Sequence, residues 1–277
     1  MGYQKGWAAM IKLSGLSDSE VAQIVPDDTI ILGYRGSIAH GMYVPPTDPN
    51  SIDDKDIMGV CIAPRTVYFG LDSFEQREVF LKEWDSVVYE VRKFVRLLAK
   101  GNPNVISLLW LNEGHYIHRT SAGQALIQQR DLFSSKKVYH SFTGYAYGQL
   151  HRMTHQAFEG YMGQKRKQLV EKHGYDTKNA AHCIRLLRMG IEFLNEHRFY
   201  IDRSQKDGPQ LLEIKRGEWE LAKVKEEAER LFKRAEEAYD RCSLPIQPDV
   251  NEVNRLLVTI LNPHFFPVVE AGWKGDR

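Results

Sequence analysis

The spacing of hydrophobic residues changes near residue 119, and this limits the folds open to the chain more than any other feature. Before that point, apolar residues come in short β-branched blocks broken by glycine and proline. After it they recur every three to four positions with few interruptions. The order predicts an α+β chain, with a mixed sheet and flanking helices in residues 1–118 and a helical domain in residues 119–277.

Thr29 to Gly33 reads as a short buried strand, Ile57 to Ile62 as a second closed by Pro64, and Thr66 to Phe69 as a third. Asp85 to Tyr89 is a further strand, in which Val87 and Tyr89 share a phase with Asp85. Ser37 to Tyr43 begins a short helix, and Pro45, Pro46, Pro49 and Asn50 force a loop after it. Val91, Phe94, Val95, Leu97 and Leu98 stand at helical spacing until Gly101 and Pro103 intervene, and Asn104 to Leu111 starts another helix. Further helices are expected over 121–129, 136–159, 163–173, 177–195, 217–241 and 249–261. In the fifth of these, Leu221, Val224, Ala228, Leu231, Ala235 and Ala238 mark one apolar stripe, and the Lys/Glu-rich remainder reads as a solvated face.

A chain of 277 residues that is 43% hydrophobic buries roughly three quarters of its extended surface, which sets aside disorder and disulfide-stapled miniproteins. Cys61, Cys183 and Cys242 stand far apart with no CxxC, so a reducing, cytoplasmic setting is expected. The acidic residues among the first thirty do not form a signal peptide, and no apolar run approaches the roughly 20 residues that span a bilayer. No membrane partner is expected. The net charge of +1 is unevenly placed: between His151 and Tyr200 nine Lys/Arg face five Asp/Glu, which makes the middle of the chain the polyanion-facing candidate.

The chemistry is concentrated in Gly33-Tyr34-Arg35-Gly36-Ser37 and in Asp54-Lys55-Asp56. Side chains two apart on a strand leave by the same face, so Asp54 and Asp56 present two carboxylates to one point while Asp53 or Lys55 points away. Like charges raise each other's pKa, and a divalent cation relieves them. Hard oxygen donors favour Mg2+, or Mn2+ in vitro, held together with substrate phosphates. Gly36 admits a close phosphate, and Ser37 supplies a hydroxyl and an amide. A GxxxxGK[ST] phosphate loop is absent. Strand phase makes Asp85 the first choice for a third acid. Glu90, where strand passes into helix, is the runner-up or a cap for that helix.

Lys178, His182 and Arg185 fall at i, i+4 and i+7 of the 177–195 helix and share one face, while Ile184, Leu187, Ile191 and Phe193 pack. Asp176 is placed to cap that helix. Such a face suits the binding of a triphosphate or of nucleic-acid phosphates. Tyr145, Tyr147, Gln149, His151 and Arg152, with Lys165, Arg166 and Lys167, serve either base stacking and backbone tracking or packing beside a solvated basic corner. Met153 and Met162 read as packing residues. His40 stands near the phosphate region or makes a local hydrogen bond.

Gly36-Ser37-Ile38-Ala39-His40-Gly41 followed by Ser51-Ile52-Asp53-Asp54-Lys55-Asp56-Ile57-Met58-Gly59-Val60 resembles the active-site signature of the DNA polymerase beta-like nucleotidyltransferase superfamily. Tyr89 to Phe94, Gly101-Asn102-Pro103-Asn104 and Tyr175 to Arg185 resemble its RNA-ligase-associated bacterial and phage branch. The resemblance spans about Ile30 to Leu261 and implies a nucleotidyltransferase fold with a helical C-terminal domain. It also implies metal-dependent transfer of a nucleoside monophosphate from an NTP, ATP by default, to an acceptor hydroxyl such as an RNA 3′ end. By this match Gly36 and Ser37 contact phosphate, with His40, Lys178, His182 and Arg185 as further nucleotide-binding candidates. Asp54 and Asp56 bind metal with Asp85 or Glu90. The sixteen residues between Ser37 and Asp54 form a longer gap than in compact members. A metal-dependent phosphate-ester hydrolase and a nonenzymatic nucleotide- or RNA-binding module are the alternatives.

Overall fold

In the computed structural model, residues 11–45, 47, 53–155 and 164–266 are described, without the side chains of 154, 155 and 164–166. Ser51 and Met162 lie outside the described residues, as do the side chains of Lys165 and Arg166 and the end of the expected 136–159 helix. The chain runs α1 (Asp18–Ile24), β1 (Thr29–Tyr34), α2 (Gly36–Ala39), β2 (Lys55–Cys61), α3 (Arg65–Phe69), β3 (Gln76–Leu81) and β4 (Trp84–Glu90). Then come α4 (Val91–Ala99), α5 (Pro103–Ile106), β5 (Tyr116–Arg119), α6 (Ser121–Gln128) and α7 (Lys137–His155). The last elements are α8 (Gln164–His173), α9 (Thr177–Glu196), α10 (Gly208–Arg216), α11 (Leu221–Arg241) and α12 (Val250–Phe265). The fold is α+β: a mixed sheet flanked by helices, followed by a largely helical region.

The five strands lie in the order β3-β4-β2-β1-β5, with β2 and β4 parallel and the other neighbours antiparallel. Alternation divides each strand between two layers. Leu32, Ile57 and Trp84 turn to a small cluster closed by Ile11, Leu13 and α1. Ile31, Met58, Val60 and Val87 turn to the main core under the helices. That core is continuous through α4, α7, α9 and α11 to Phe265 of α12, and it crosses residue 119, the expected domain boundary, because α6 lies against β1.

Three local readings change. Thr66–Phe69 is the helix α3 instead of a strand: β3 already occupies the outer edge of β4, and Tyr68 and Phe69 pack on Phe265, ring centroids 4.8 and 5.5 Å away. β3 and β5 carry no strand signal because they are edge strands of mixed polarity, β3 half in water and β5 half-buried throughout. The expected 217–241 helix starts at Leu221, since Gly217 takes φ +78° and closes α10, which the sequence reading missed. In α11 the stripe from Val224 to Ala238 is buried.

Candidate active site

The strand parity that buries Met58, Val60 and Val87 under the helices puts Asp56 and Asp85 on the same face, at the polar ends of β2 and β4. In the parallel register Asp56 is paired directly with Asp85. Glu90 has the opposite parity, pairs with Cys61 at the far end, is buried, and caps α4 by accepting from the Lys93 amide at 3.0 Å and from the Tyr68 hydroxyl at 2.6 Å. The geometry therefore brings Asp85 to Asp56 and leaves Glu90 at the other end of the strand.

β1 ends against β2 where the Arg35 amide donates to the Asp56 carbonyl, 3.0 Å away. The Arg35 guanidinium then lies 2.9 Å from Asp85 Oδ2 and 3.8 Å from Asp56 Oδ1. Gly36 follows with φ +59°, and a β-carbon there would fall 2.2 Å from Asp56 Oδ2, so only glycine leaves that carboxylate its place. Ser37 Oγ is buried without a hydrogen-bond partner among the described residues. Burial, aided by Asp85 and Asp54 and opposed by Arg35 and Lys178, raises the pKa of Asp56 to about 6. Asp54, just before the strand, is half-buried.

The helical region closes this edge. Asp176 caps α9, accepting from the Asn179 amide at 3.0 Å, and α9 carries His182 and Arg185 to the cleft. Arg185 donates to His40 Nε2 at 2.6 Å, while His40 Nδ1 donates to the Ile201 carbonyl at 2.8 Å. This pattern selects the neutral Nδ1–H tautomer, and burial together with Arg185 holds the His40 pKa well below the usual range. Burial also lowers Arg185 to about 9, and no carboxylate pairs with it among the described residues. Behind His40, buried Arg203 pairs with Glu192 at 2.6 Å and Asp207 at 2.7 Å, and its amide donates to the His40 carbonyl at 3.1 Å. This network holds the Ile201 carbonyl against the imidazole.

Lys178 is 3.6 Å from Asp53, not beside Arg185 in the cleft lining. Asp53, which strand alternation turns away from Asp56, is buried: it accepts from the Val44 amide at 3.0 Å and pairs with buried Lys215 of α10. Burial lowers the Lys215 pKa, and the Asp53 charge opposes that shift. The cleft encloses about 250 Å³ and is also lined by Tyr89, Asn104 and Ser107. Arg35, Asp53, Lys215 and Ser107 are contributions that the sequence reading missed. The first two stand inside the quoted motifs, where the sequence marks Asp53 only as a residue that can turn away from the paired aspartates, while Lys215 and Ser107 carry no local signal.

In α7, Tyr145 accepts from Asn102 Nδ2 at 3.1 Å, Gln149 and Met153 are buried, and Tyr147 is exposed. No helix among the described residues is long and apolar enough to cross a membrane.

A mixed sheet that pairs Asp56 with Asp85 beside a cleft lined by Gly36, His40 and Arg185 is the setting of a nucleotidyltransferase-type enzyme. The family model of the RNA repair pathway DNA polymerase beta family matches residues 16–259, and the chain belongs to that family. A comparison with curated proteins gives no match. Among solved structures, a nucleotidyltransferase-like protein from Exiguobacterium sibiricum aligns over 88% of this chain and 77% of its own at 12% identity with a TM-score of 0.29, too loose a likeness to carry an argument.

Proposed function

We propose that the protein transfers a nucleoside monophosphate from an NTP to an acceptor hydroxyl, with an RNA 3′ end as the leading acceptor. The observation that carries this reading is that Asp56, which lines one cleft with Gly36 and Arg185, is paired in the β2–β4 register with Asp85 at the edge of that cleft.

A divalent cation belongs to such a reaction. Among the described residues no group of three or more His, Cys, Asp or Glu is arranged to hold a metal ion. The donor chemistry fits all the same: the acids offer only hard oxygens, and Asp56, its pKa raised to about 6, is a carboxylate short of counter-charge that Arg35 serves in part. Asp54, Asp56 and Asp85 would hold Mg2+ or Mn2+. When bound, the cation would lower the pKa of the acceptor hydroxyl and neutralise charge on the leaving oxygens.

The chain's own groups supply the rest. Arg185, oriented by neutral His40, and Ser37 hold the phosphate tail, and Gly36 lets that tail approach the backbone. The acceptor oxygen bonds to the α-phosphorus as the α–β bridging bond breaks and pyrophosphate leaves. The hydroxyl proton leaves to solvent water.

Incubation with each of four labelled NTPs, Mg2+ and total RNA, DNA or a metabolite extract identifies the acceptor by which fraction gains label. Asp54→Ala and Asp56→Ala should abolish incorporation in folded protein. Turnover retained by either soluble variant refutes the assignment, and release of monophosphate without incorporation points to hydrolysis.

A further inference from the structure

We propose that a second, basic pocket beside the cleft, formed by Arg130, Arg198 and Lys206, binds the phosphodiester backbone of the nucleic-acid strand whose end enters the cleft. The inference rests on the transferase reading with RNA as acceptor. The pocket is separated from the cleft by one stretch of backbone: Ile201 lines it, and the Ile201 carbonyl holds His40 in the cleft.

Its cations are set in place before any ligand arrives. The Arg130 guanidinium lies over buried Trp110, 4.2 Å from the ring centroid, and donates to the Leu109 carbonyl at 3.4 Å. Lys206 and Arg198 lie 3.6 and 5.4 Å from the Tyr200 ring centroid. Neither Arg130 nor Arg198 has a carboxylate partner among the described residues, and Lys206 has Glu192 at 3.6 Å. Asp202 is the one acid in the lining, and its carboxylate is engaged by the Ser204 amide at 2.9 Å and Asn112 Nδ2 at 3.2 Å. Three cations against one engaged carboxylate call for an anion. The volume of about 290 Å³ lies below the roughly 300–1,000 Å³ of pockets that enclose whole small ligands and suits one sugar-phosphate unit of a longer strand. Cations interleaved with aromatic rings along a groove are how single strands are tracked.

The test is fluorescence anisotropy of a short labelled single-stranded RNA across a KCl series, without NTP or divalent cation. An Arg130→Gln, Arg198→Gln double variant should bind about tenfold more weakly, with a log–log salt slope shallower by about 1.4 for two lost phosphate contacts. Arg130→Lys should keep the slope. Lys206→Gln, at an exposed position, should lower the slope by about 0.7 and guards against a fold lost in the double variant. Asp56→Asn should retain RNA affinity even where transfer is lost, so failure of the catalytic reading is distinguishable from failure of this one. Unchanged affinity and slope in the double variant overturn the proposal. So does loss of tripolyphosphate binding in that variant while RNA binding persists, which would assign the pocket to a small polyphosphate.

Discussion

The guanidinium of Arg35 lies 2.9 Å from Asp85 Oδ2, on the side where Asp85 meets Asp56 across the parallel β2–β4 pair. A side chain from the Gly-Ser turn thus supplies positive charge to two carboxylates that would otherwise repel.

A cation entering between the acids must compete with that guanidinium. Arg35→Gln should therefore bind Mn2+ more tightly in the absence of nucleotide. A partly exposed ion pair is worth up to about 1 kcal/mol, so the gain is about fivefold. Titration of free Mn2+ by electron paramagnetic resonance reads it, and weaker binding by the variant would show Arg35 to be a support for the site instead of a competitor.

Gly36→Ala should damage the site more than the fold. The left-handed backbone costs a non-glycine residue about 1–2 kcal/mol, and the new methyl would stand 2.2 Å from Asp56 Oδ2. The carboxylate must move, and a displacement near 1 Å costs about 10²-fold in rate. Turnover equal to the parent in a variant of normal thermal stability rules out a fixed Asp56 as a requirement.

The pKa of Asp56, raised from 3.8 to about 6 chiefly by burial, sets a pH dependence. The folded protein binds this proton more tightly than the unfolded chain does. The group's favourable contribution is therefore complete below the unfolded pKa and is lost as pH rises through about 6. In EDTA, Asp56→Asn should be more stable than the parent at pH 8 by about 3 kcal/mol, an advantage that shrinks to about 0.5 kcal/mol at pH 4. Equal unfolding midpoints at both pH values would contradict the raised pKa.

Asp53 and Lys215 form a buried pair between the segment before β2 and α10. Removing Asp53 strands the buried Lys215 ammonium and costs about 3–5 kcal/mol, whereas removing Lys215 leaves Asp53 to the partly exposed Lys178, 3.6 Å away. Asp53→Ala should lower the urea midpoint markedly and Lys215→Met less, and the double variant should lose much less than their sum. Additive losses would mean that the two residues act independently.

Much of the acidic edge is legible locally. A period of two puts Asp56 on the strand face of Met58 and Val60, and the apolar run from Ile57 to Ile62 marks β2, which begins at Lys55, one residue after Asp54. A period of 3.6 likewise sends Ile184, Leu187, Ile191 and Phe193 into the core and brings His182 and Arg185 to the cleft, while Lys178, one turn earlier, ends beside Asp53. The two periods are properties of neighbours along the chain, and backbone geometry enforces them wherever the element ends up.

Only the tertiary structure decided which distant groups meet. The register that sets Asp85 beside Asp56, the turn of Arg35 onto both, the pairing of Asp53 with Lys215 and the contact of Arg185 with His40 all join segments far apart in sequence. So does the placing of Thr66–Phe69 as a helix, settled by Phe265 and by the edge that β3 occupies. Such contacts carry no local signal, because they depend on how the whole chain shares out its buried surface and satisfies its buried charges.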